Sequence, residues 1–317
     1  MGKILEFHEV YLQYENQKSP TLSNINFSVD EGEFITILGN SGSGKTTLIK
    51  LANRLLDPTK GKILFDGKDV AEADVLELRR NMGYVIQQVG LFPHLNIADN
   101  IGIVPKIMGW DSKKIQDRVS ELLELAQLPN TDEFKKRHPW QLSGGQQQRV
   151  GLARALCSNP KVLLMDEPFG ALDVVTRKEL QKELMQIQKE FKKTILFVTH
   201  DLQEAISLGT RVLVISEGRI QQFDTPKNLI LHPKNSYIKD LFRADTPVKK
   251  LKFFKVLDFP ELLHKEDTPA EVRVDWNDAM DAVLNDVLTG AEKVAVYRDG
   301  QYEGNIFCDE LKLIGEI

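Results

Sequence analysis

Five apolar residues, Phe34–Leu38, run directly into Gly39-Asn40-Ser41-Gly42-Ser43-Gly44-Lys45-Thr46-Thr47. A short apolar run bounded by turn residues reads as a buried strand. The following Leu48-Ile49-Lys50-Leu51 continues as a helix. Strand, glycine loop and helix in that order match G-x-x-x-x-G-K-[ST] in full. Glycine lets the backbone approach phosphate oxygens, with amide N–H groups turned inward. The helix start adds a partial positive charge. Lys45 is placed to reach the β- and γ-phosphates of a nucleotide, and the Thr46 hydroxyl to ligand Mg²⁺. A chain carrying this motif is expected to fold around a parallel sheet.

Further apolar runs at 83–86, 162–165, 195–198 and 212–215 supply the other strands. Between them lie helical patterns. Ile115, Val119, Leu122, Leu123 and Ala126 recur at helical spacing and give one apolar face. Strands alternating with helices argue for a sheet covered on both sides. Residues 62–65, followed by Asp66-Gly67, read as a strand and tight turn in a small antiparallel flank. The stretch from about 88 to 159 has few strand signals and is expected to be a helical subdomain. Residues 241–269, rich in Lys, Asp, Glu and Pro, read as a linker. From 270 to 317 the pattern is strand, apolar helical stripe (Ala279, Met280, Val283, Leu284, Val287, Leu288) and hairpin around Asp299-Gly300.

The run 162–165 ends in Asp166-Glu167, at the sheet edge where parallel sheets bind ligands. Asp166 suits Mg²⁺ through water, because Mg²⁺ prefers hard oxygen ligands and keeps waters. Glu167 is placed to polarise an attacking water. Alone, such a pair is usually a solvated strand end; beside a phosphate loop it carries chemistry. His200 closes another apolar run at the same edge and is read as a γ-phosphate contact. Gln87 follows the run 83–86 and can ligand Mg²⁺, hold the water or simply open a loop. A second glycine-rich anion site, Leu142-Ser143-Gly144-Gly145-Gln146, opens another helix. One nucleotide lysine with two such sites points to a nucleotide shared between two copies.

Composition narrows the partners. The 317 residues fit two domains. A formal net charge of −5 argues against nucleic acid, whose binders show a basic footprint. Cys157 and Cys308 are the whole cysteine complement, so no disulfide framework is implied, and a reducing cytoplasm fits. The N-terminus lacks the apolar stretch of a secretory signal. No run approaches the roughly 18 apolar residues of a membrane helix, so any spanning falls to another chain.

Taken together, Gly39 to Thr47, Gln87, Leu142 to Gln146, 162–167, Ala171-Leu172-Asp173 and His200 stand in the order found in ATP-binding subunits of ABC transporters. The chain resembles that family over about residues 1–240. The resemblance implies an α/β P-loop (RecA-like) core with an antiparallel flank and a helical subdomain, using ATP and Mg²⁺. Mg²⁺ would be held by Thr46, Gln87 and Asp166, and catalysis carried by Glu167, His200 and Gln87. Tyr14 stands where the family stacks an aromatic on adenine, with Tyr11 as a nearby rival. Two copies would meet head to tail, so that Ser143, Gly144 and Gly145 reach the partner's γ-phosphate and Asp173 lies at the seam. The loop from Gln87 to His94 would lie under the groove that receives a permease helix.

The stretch 78–94, Asn53-Arg54-Leu55-Leu56 and 166–173 resemble the ATPases of osmoprotectant importers, which move glycine betaine, carnitine, choline or related quaternary amines. That implies permease subunits, a substrate-binding protein acting indirectly and a peripheral place on the cytoplasmic face of the membrane. An importer ATPase for an amino acid, sulfonate or polyamine is the near alternative. A soluble non-transport ABC ATPase is the distant one. Residues 270–317 resemble a single CBS motif, where osmoprotectant ATPases often carry two. It reads either as a dimer clamp or nucleotide sensor, or as a structural cap.

Overall fold

The protein is described here from a computed structural model covering residues 2–15, 18–87, 90–243, 254–265, 268–280, 283 and 291–307. It divides into two compact units, Met1–Phe223 and Asp224–Ile317.

The first unit opens with β1 (Lys3–Leu12), β2 (Leu22–Asp30) and β3 (Phe34–Leu38), then α1 (Lys45–Ala52). β4 (Lys60–Phe65), β5 (Lys68–Asp69), α2 (Val75–Arg80) and β6 (Met82–Val85) follow. The helical insertion holds α3 (Ile97–Ile107), α4 (Ser112–Leu125), α5 (Asp132–Lys136) and α6 (Gly144–Cys157). β7 (Val162–Asp166), α7 (Val174–Phe191), β8 (Thr194–Thr199), α8 (Leu202–Leu208), β9 (Arg211–Ser216) and β10 (Arg219–Asp224) complete it.

Two sheets result. One has the order β2-β1-β4-β5, with β1 antiparallel to both β2 and β4. The other has the order β10-β9-β3-β8-β7-β6, with β3, β6, β7, β8 and β9 parallel. β3 lies inside it, flanked by β8 and β9, and all five of its residues are buried. Successive side chains of a strand face opposite sides of a sheet. Accordingly Leu196 and Val198 join the core shared with α1 and the antiparallel sheet, whereas Ile195 and Phe197 join the core beneath α4, α6 and α7. That two-sided burial explains why these strands read as continuous apolar runs.

Apolar runs in the sequence mark the parallel strands and β4, but none marks a strand at 3–12 or 22–30. β1 carries Glu6, His8 and Glu9 among its apolar residues, and Glu9 sits at φ 47°. The register with β2 shifts between Phe7 and Val10. A bulge of this kind breaks the period-two alternation that marks a strand. Phe7 pairs with Phe27 across the sheet, their rings stacked at 4.5 Å.

The second unit includes α9 (Pro226–Leu231) and α10 (Ser236–Arg243). β11 (Arg273–Asp275), β12 (Lys293–Arg298) and β13 (Gln301–Phe307) form a sheet in that order, the last two an antiparallel hairpin. Asn305 is fully buried, accepting from the Ala270 amide and donating to Thr268 O, both at 3.0 Å. Part of the stretch read as a linker is packed: Phe254, Val256, Phe259 and Leu262 are buried, with Phe254 and Phe259 in edge contact at 5.3 Å. Apolar side chains spaced among Lys and Asp hid this packing from a reading by composition. Most of the apolar stripe at 279–288 lies outside the described residues; its Met280 and Val283 are buried.

Candidate functional site

Three strands end at one edge of the parallel sheet. Register pairs Leu38 of β3 with Thr199 of β8, and Asp166 of β7 with Val198. Gly39, His200 and Glu167, each the next residue along, therefore emerge side by side.

The glycine loop runs from Gly39 into α1. Gly44 caps the helix at φ 103°, and a Cβ there would stand 2.6 Å from Leu22 Cδ2. Only glycine meets both conditions without strain. Lys45 is buried and donates to Gly39 O at 2.7 Å and Asn40 O at 2.9 Å. Its ammonium is thus held by the loop it serves. Burial lowers its pKa, opposed by the charges of Glu167 and Asp166. Ser43 Oγ is buried with no hydrogen-bond partner. An orphaned hydroxyl in a glycine-rich loop that opens a helix fits a bound phosphate chain.

Thr46 Oγ1 donates to Asp166 Oδ1 at 2.9 Å, joining two of the three expected Mg²⁺ ligands, which are 120 residues apart. Burial raises the Asp166 carboxyl above the usual range, with the Thr46 hydrogen bond working the other way. The same environment acts on Tyr84, whose phenol is pushed up to about 12 by burial and then by the Asp166 charge. A hydroxyl and a buried carboxylate are the hard donors that Mg²⁺ takes alongside water and phosphate.

Glu167 is the convergence point. Its backbone stands at φ 44°, a left-handed conformation that few non-glycine residues adopt. Its amide donates to Val198 O at 3.1 Å, which anchors that turn to the neighbouring strand. Glu167 Oε2 lies 3.1 Å from His200 Nδ1 and accepts from Gln87 Nε2 at 3.4 Å. Glu167 Oε1 lies 4.0 Å from Lys45 Nζ. Tyr14 stands just past β1 and is 39% exposed, whereas Tyr11 lies within β1 opposite Lys60.

The second glycine-rich stretch opens α6. Ser143 caps it: Gln146 N donates to Ser143 Oγ at 3.3 Å, and Ser143 N donates to Gln146 Oε1 at 3.0 Å. The amides of the first turn, Gly144 and Gly145 among them, have no intrahelical acceptor by the geometry of a helix start. Leu142 is buried and anchors the loop. A Cβ on Gly145 would come 2.8 Å from Thr176 Cγ2, so glycine lets α6 start close against α7. Asp173 caps α7, accepting from Val175 N at 3.0 Å and Thr176 N at 3.1 Å. Those bonds, Thr176's first, hold its carboxyl below the usual range. The next two residues, Val174 and Val175, are 66% and 67% exposed.

The ABC transporter family profile matches residues 22–170. The glycine betaine uptake system ATP-binding protein YehX of Escherichia coli is 40% identical over 310 residues, covering 97% of this chain and 99% of that protein. This chain belongs to the ATP-binding subunits of ABC transporters. The carnitine transport ATP-binding protein OpuCA of Listeria monocytogenes is 48% identical over 242 residues, 76% of this chain; the chain spans 60% of that relative's length. Among solved structures, the ATP-binding cassette MJ0796, a dimer in a post-hydrolysis state bound to ADP and Pi, matches with TM-score 0.63 and 33% identity. It covers 70% of this chain and 99% of that one.

Within this ABC subunit, Asn100 carries no signal in the sequence. It is fully buried; its amide donates to Phe92 O, Leu95 O and Asn96 O at 3.0 to 3.1 Å, and its oxygen accepts from Phe92 N at 2.8 Å. It ties the loop after Gln87 to α3. Nothing local marks an asparagine inside a helix for that work. Arg154 of α6 holds the same loop, donating to Gly90 O at 2.8 Å and lying 5.8 Å from the Phe92 ring. Gln88 and Val89 lie outside the described residues.

Proposed function

We propose that this chain is the ATP-hydrolysing subunit of an importer for quaternary-amine osmoprotectants such as glycine betaine, carnitine or choline. The observation that carries the hydrolytic reading is the meeting of Gln87, His200 and Lys45 on Glu167, beside the Thr46–Asp166 pair. The substrate class follows that of the relatives, which include glycine betaine, carnitine and choline transport proteins.

The glycine loop from Gly39 to Gly44 cradles the phosphates, with Asn40, Ser41, Gly42 and Ser43 turning amides inward. Lys45 exchanges its loop carbonyls for β- and γ-oxygens. Thr46, Asp166 and Gln87 would hold Mg²⁺, which would supply charge neutralisation across those phosphates, while Thr47 belongs to the ATP-binding loop. Glu167 accepts a proton from the attacking water, while His200 orients that carboxylate and faces the γ-phosphate. Tyr14 stacks on the adenine.

The site is completed in trans. Ser143, Gly144, Gly145 and Gln146 present a helix start to the γ-phosphate of a second copy, and Asp173 with Val174 and Val175 meets the partner at the seam. ATP binds the closed dimer better than the open one, and that difference in affinity drives closure. The permease docks on the groove bounded by Tyr84, Phe92, Val104, Ile107 and Arg154, a cavity of about 360 Å³. Phe92 and Ile107 expose 40% and 72% of their surface there. Among the described residues no helix is long and apolar enough to cross a membrane. By analogy with importer subunits, we place the chain as a peripheral subunit on the cytoplasmic face, fed indirectly by a substrate-binding protein. The sequence of 270–317 resembles a single CBS motif, and we read it as a clamp that pairs with its copy or as a nucleotide sensor.

The shared site has a direct test. Lys45→Ala and Ser143→Arg chains, each inactive alone, are mixed. A head-to-tail dimer of the two has one intact site, so random mixing returns about a quarter of wild-type sites. No recovery in proven mixed dimers would place both motifs on one nucleotide within one chain. Uptake of labelled glycine betaine, carnitine and choline by a deletion strain under salt stress tests the load.

A further inference from the structure

Behind His200 lies a polar bridge that the hydrolytic residues do not explain. Thr199, the residue before His200, is 2% exposed. Its hydroxyl donates to Glu204 Oε2 at 2.6 Å and accepts from Asp201 N at 3.0 Å. The turn carrying His200 is therefore pinned on both sides by one side chain. Glu204, on α8, is itself buried and accepts from Gln181 Nε2 of α7 at 3.0 Å. A buried carboxylate is costly unless such partners satisfy it.

Arg177 brings the other end. One turn into α7, its Nη2 donates to Leu172 O at 3.1 Å. Leu172 immediately precedes Asp173, the cap of α7. From there Arg177 reaches toward the His200 turn but stops short: Nη1 is 3.8 Å from Asp201 Oδ2 and Nε is 3.9 Å from Glu204 Oε1. Its Nε is buried without a hydrogen bond. A half-buried guanidinium whose buried Nε stands just beyond bonding distance of Glu204 gains a charge-assisted hydrogen bond from a small inward shift.

We propose that Arg177 and Glu204 are positioning residues that tie the Leu172–Asp173 turn to the turn carrying His200, so that the seat of the first sets the approach of His200 to Glu167. This rests on the reading of Glu167 and His200 as the hydrolytic pair. The physical logic is that α7 is a stiff lever with one end at an exposed surface. Contact at Val174 and Val175 displaces the first turn of α7, Arg177 closes on Glu204 and Asp201, and Thr199 transfers that shift to His200. An isolated chain leaves the bridge slack and turnover low.

The test uses the full chain labelled with ¹⁵N-histidine, which has six histidines. His200→Ala identifies the His200 ring signals. Glu204→Gln, Thr199→Val and Arg177→Lys are compared with Glu167→Gln. The expected result is that each moves the His200 ring nitrogens in the direction Glu167→Gln moves them, with the other five histidines in place. In turnover, each variant lowers kcat about tenfold and leaves KM within about twofold, the pattern of an interaction made in the transition state. In a His200→Ala background they cause no further loss. His200 signals unmoved in all three variants overturn the proposal, as does a rise in KM at constant kcat. Should the wild-type dimer fail to hydrolyse ATP, the hydrolytic reading falls by itself, and the ring-nitrogen shifts alone decide the bridge.

Discussion

Glu167 and His200 stand 33 residues apart in sequence, yet Glu167 Oε2 and His200 Nδ1 lie 3.1 Å apart. The parallel pairing of β7 with β8 makes this contact, and the left-handed turn at Glu167 aims the carboxylate into it. A non-glycine residue in that region stores strain that the surrounding structure must hold. The bond from Glu167 N to Val198 O does so.

From that contact, Glu167→Gln is expected to lower ATP turnover by about 10²–10⁴-fold, the range for losing a general base. ATP binding survives, because the glycine loop and Lys45 are untouched. Size-exclusion chromatography with ATP should then show a trapped dimer. Near-wild-type turnover in this variant would remove Glu167 from the chemistry.

The Thr46–Asp166 pair gives a pH prediction. Burial raises the Asp166 pKa, so the folded chain holds this proton at pH values where the unfolded chain has released it. For this group, stability is greatest below the ordinary aspartate value and declines as pH rises from there through the raised value. The difference in unfolding free energy between wild type and Asp166→Asn should track that window. Mg²⁺ needs the ionised carboxylate, so its apparent affinity for the ATP complex, by calorimetry, should rise with pH across the same window and then level.

Asn100→Ala removes four hydrogen bonds at one buried position and leaves the Phe92 amide without its acceptor. Stability is expected to fall by about 1–3 kcal/mol, the cost of an unmet buried polar group. Hydrogen exchange should quicken at Phe92 and Leu95 before it does in β3 or β8. Uniform loosening across the sheet would mean that Asn100 serves the whole core and not this loop.

Ile107→Asp places a charge on an exposed apolar rim of the α3 groove. The isolated subunit should keep its ATPase rate within about twofold, since exposed substitutions away from packed features change little. Solute uptake by the assembled transporter should be lost. Uptake at the wild-type rate would move the docking face elsewhere.

Much of this was legible along the chain because the signals are local. The G-x-x-x-x-G-K-[ST] spacing dictates a loop that leads a strand into a helix. Buried parallel strands need unbroken apolar runs, so β3, β7, β8 and β9 announce themselves. Ser143 with Gln146 forms a capping box that the sequence spells out. β1 stayed hidden because its bulge at Glu9 disrupts the alternation. Phe254, Val256, Phe259 and Leu262 stayed hidden because their burial depends on what packs over them, not on their polar neighbours.

The sequence by itself determined which residues could hold phosphate and metal, and the family to which the chain belongs. Those properties reside in residue type and short spacing. Only the tertiary structure decided which of them meet. Strand order β3-β8-β7 brings Lys45, Glu167 and His200 to one edge from three separate stretches. It also placed Asn100 behind the Phe92 loop and Arg177 behind the His200 turn. Contacts between distant residues follow from sheet register and helix packing, and no window along the chain encodes them.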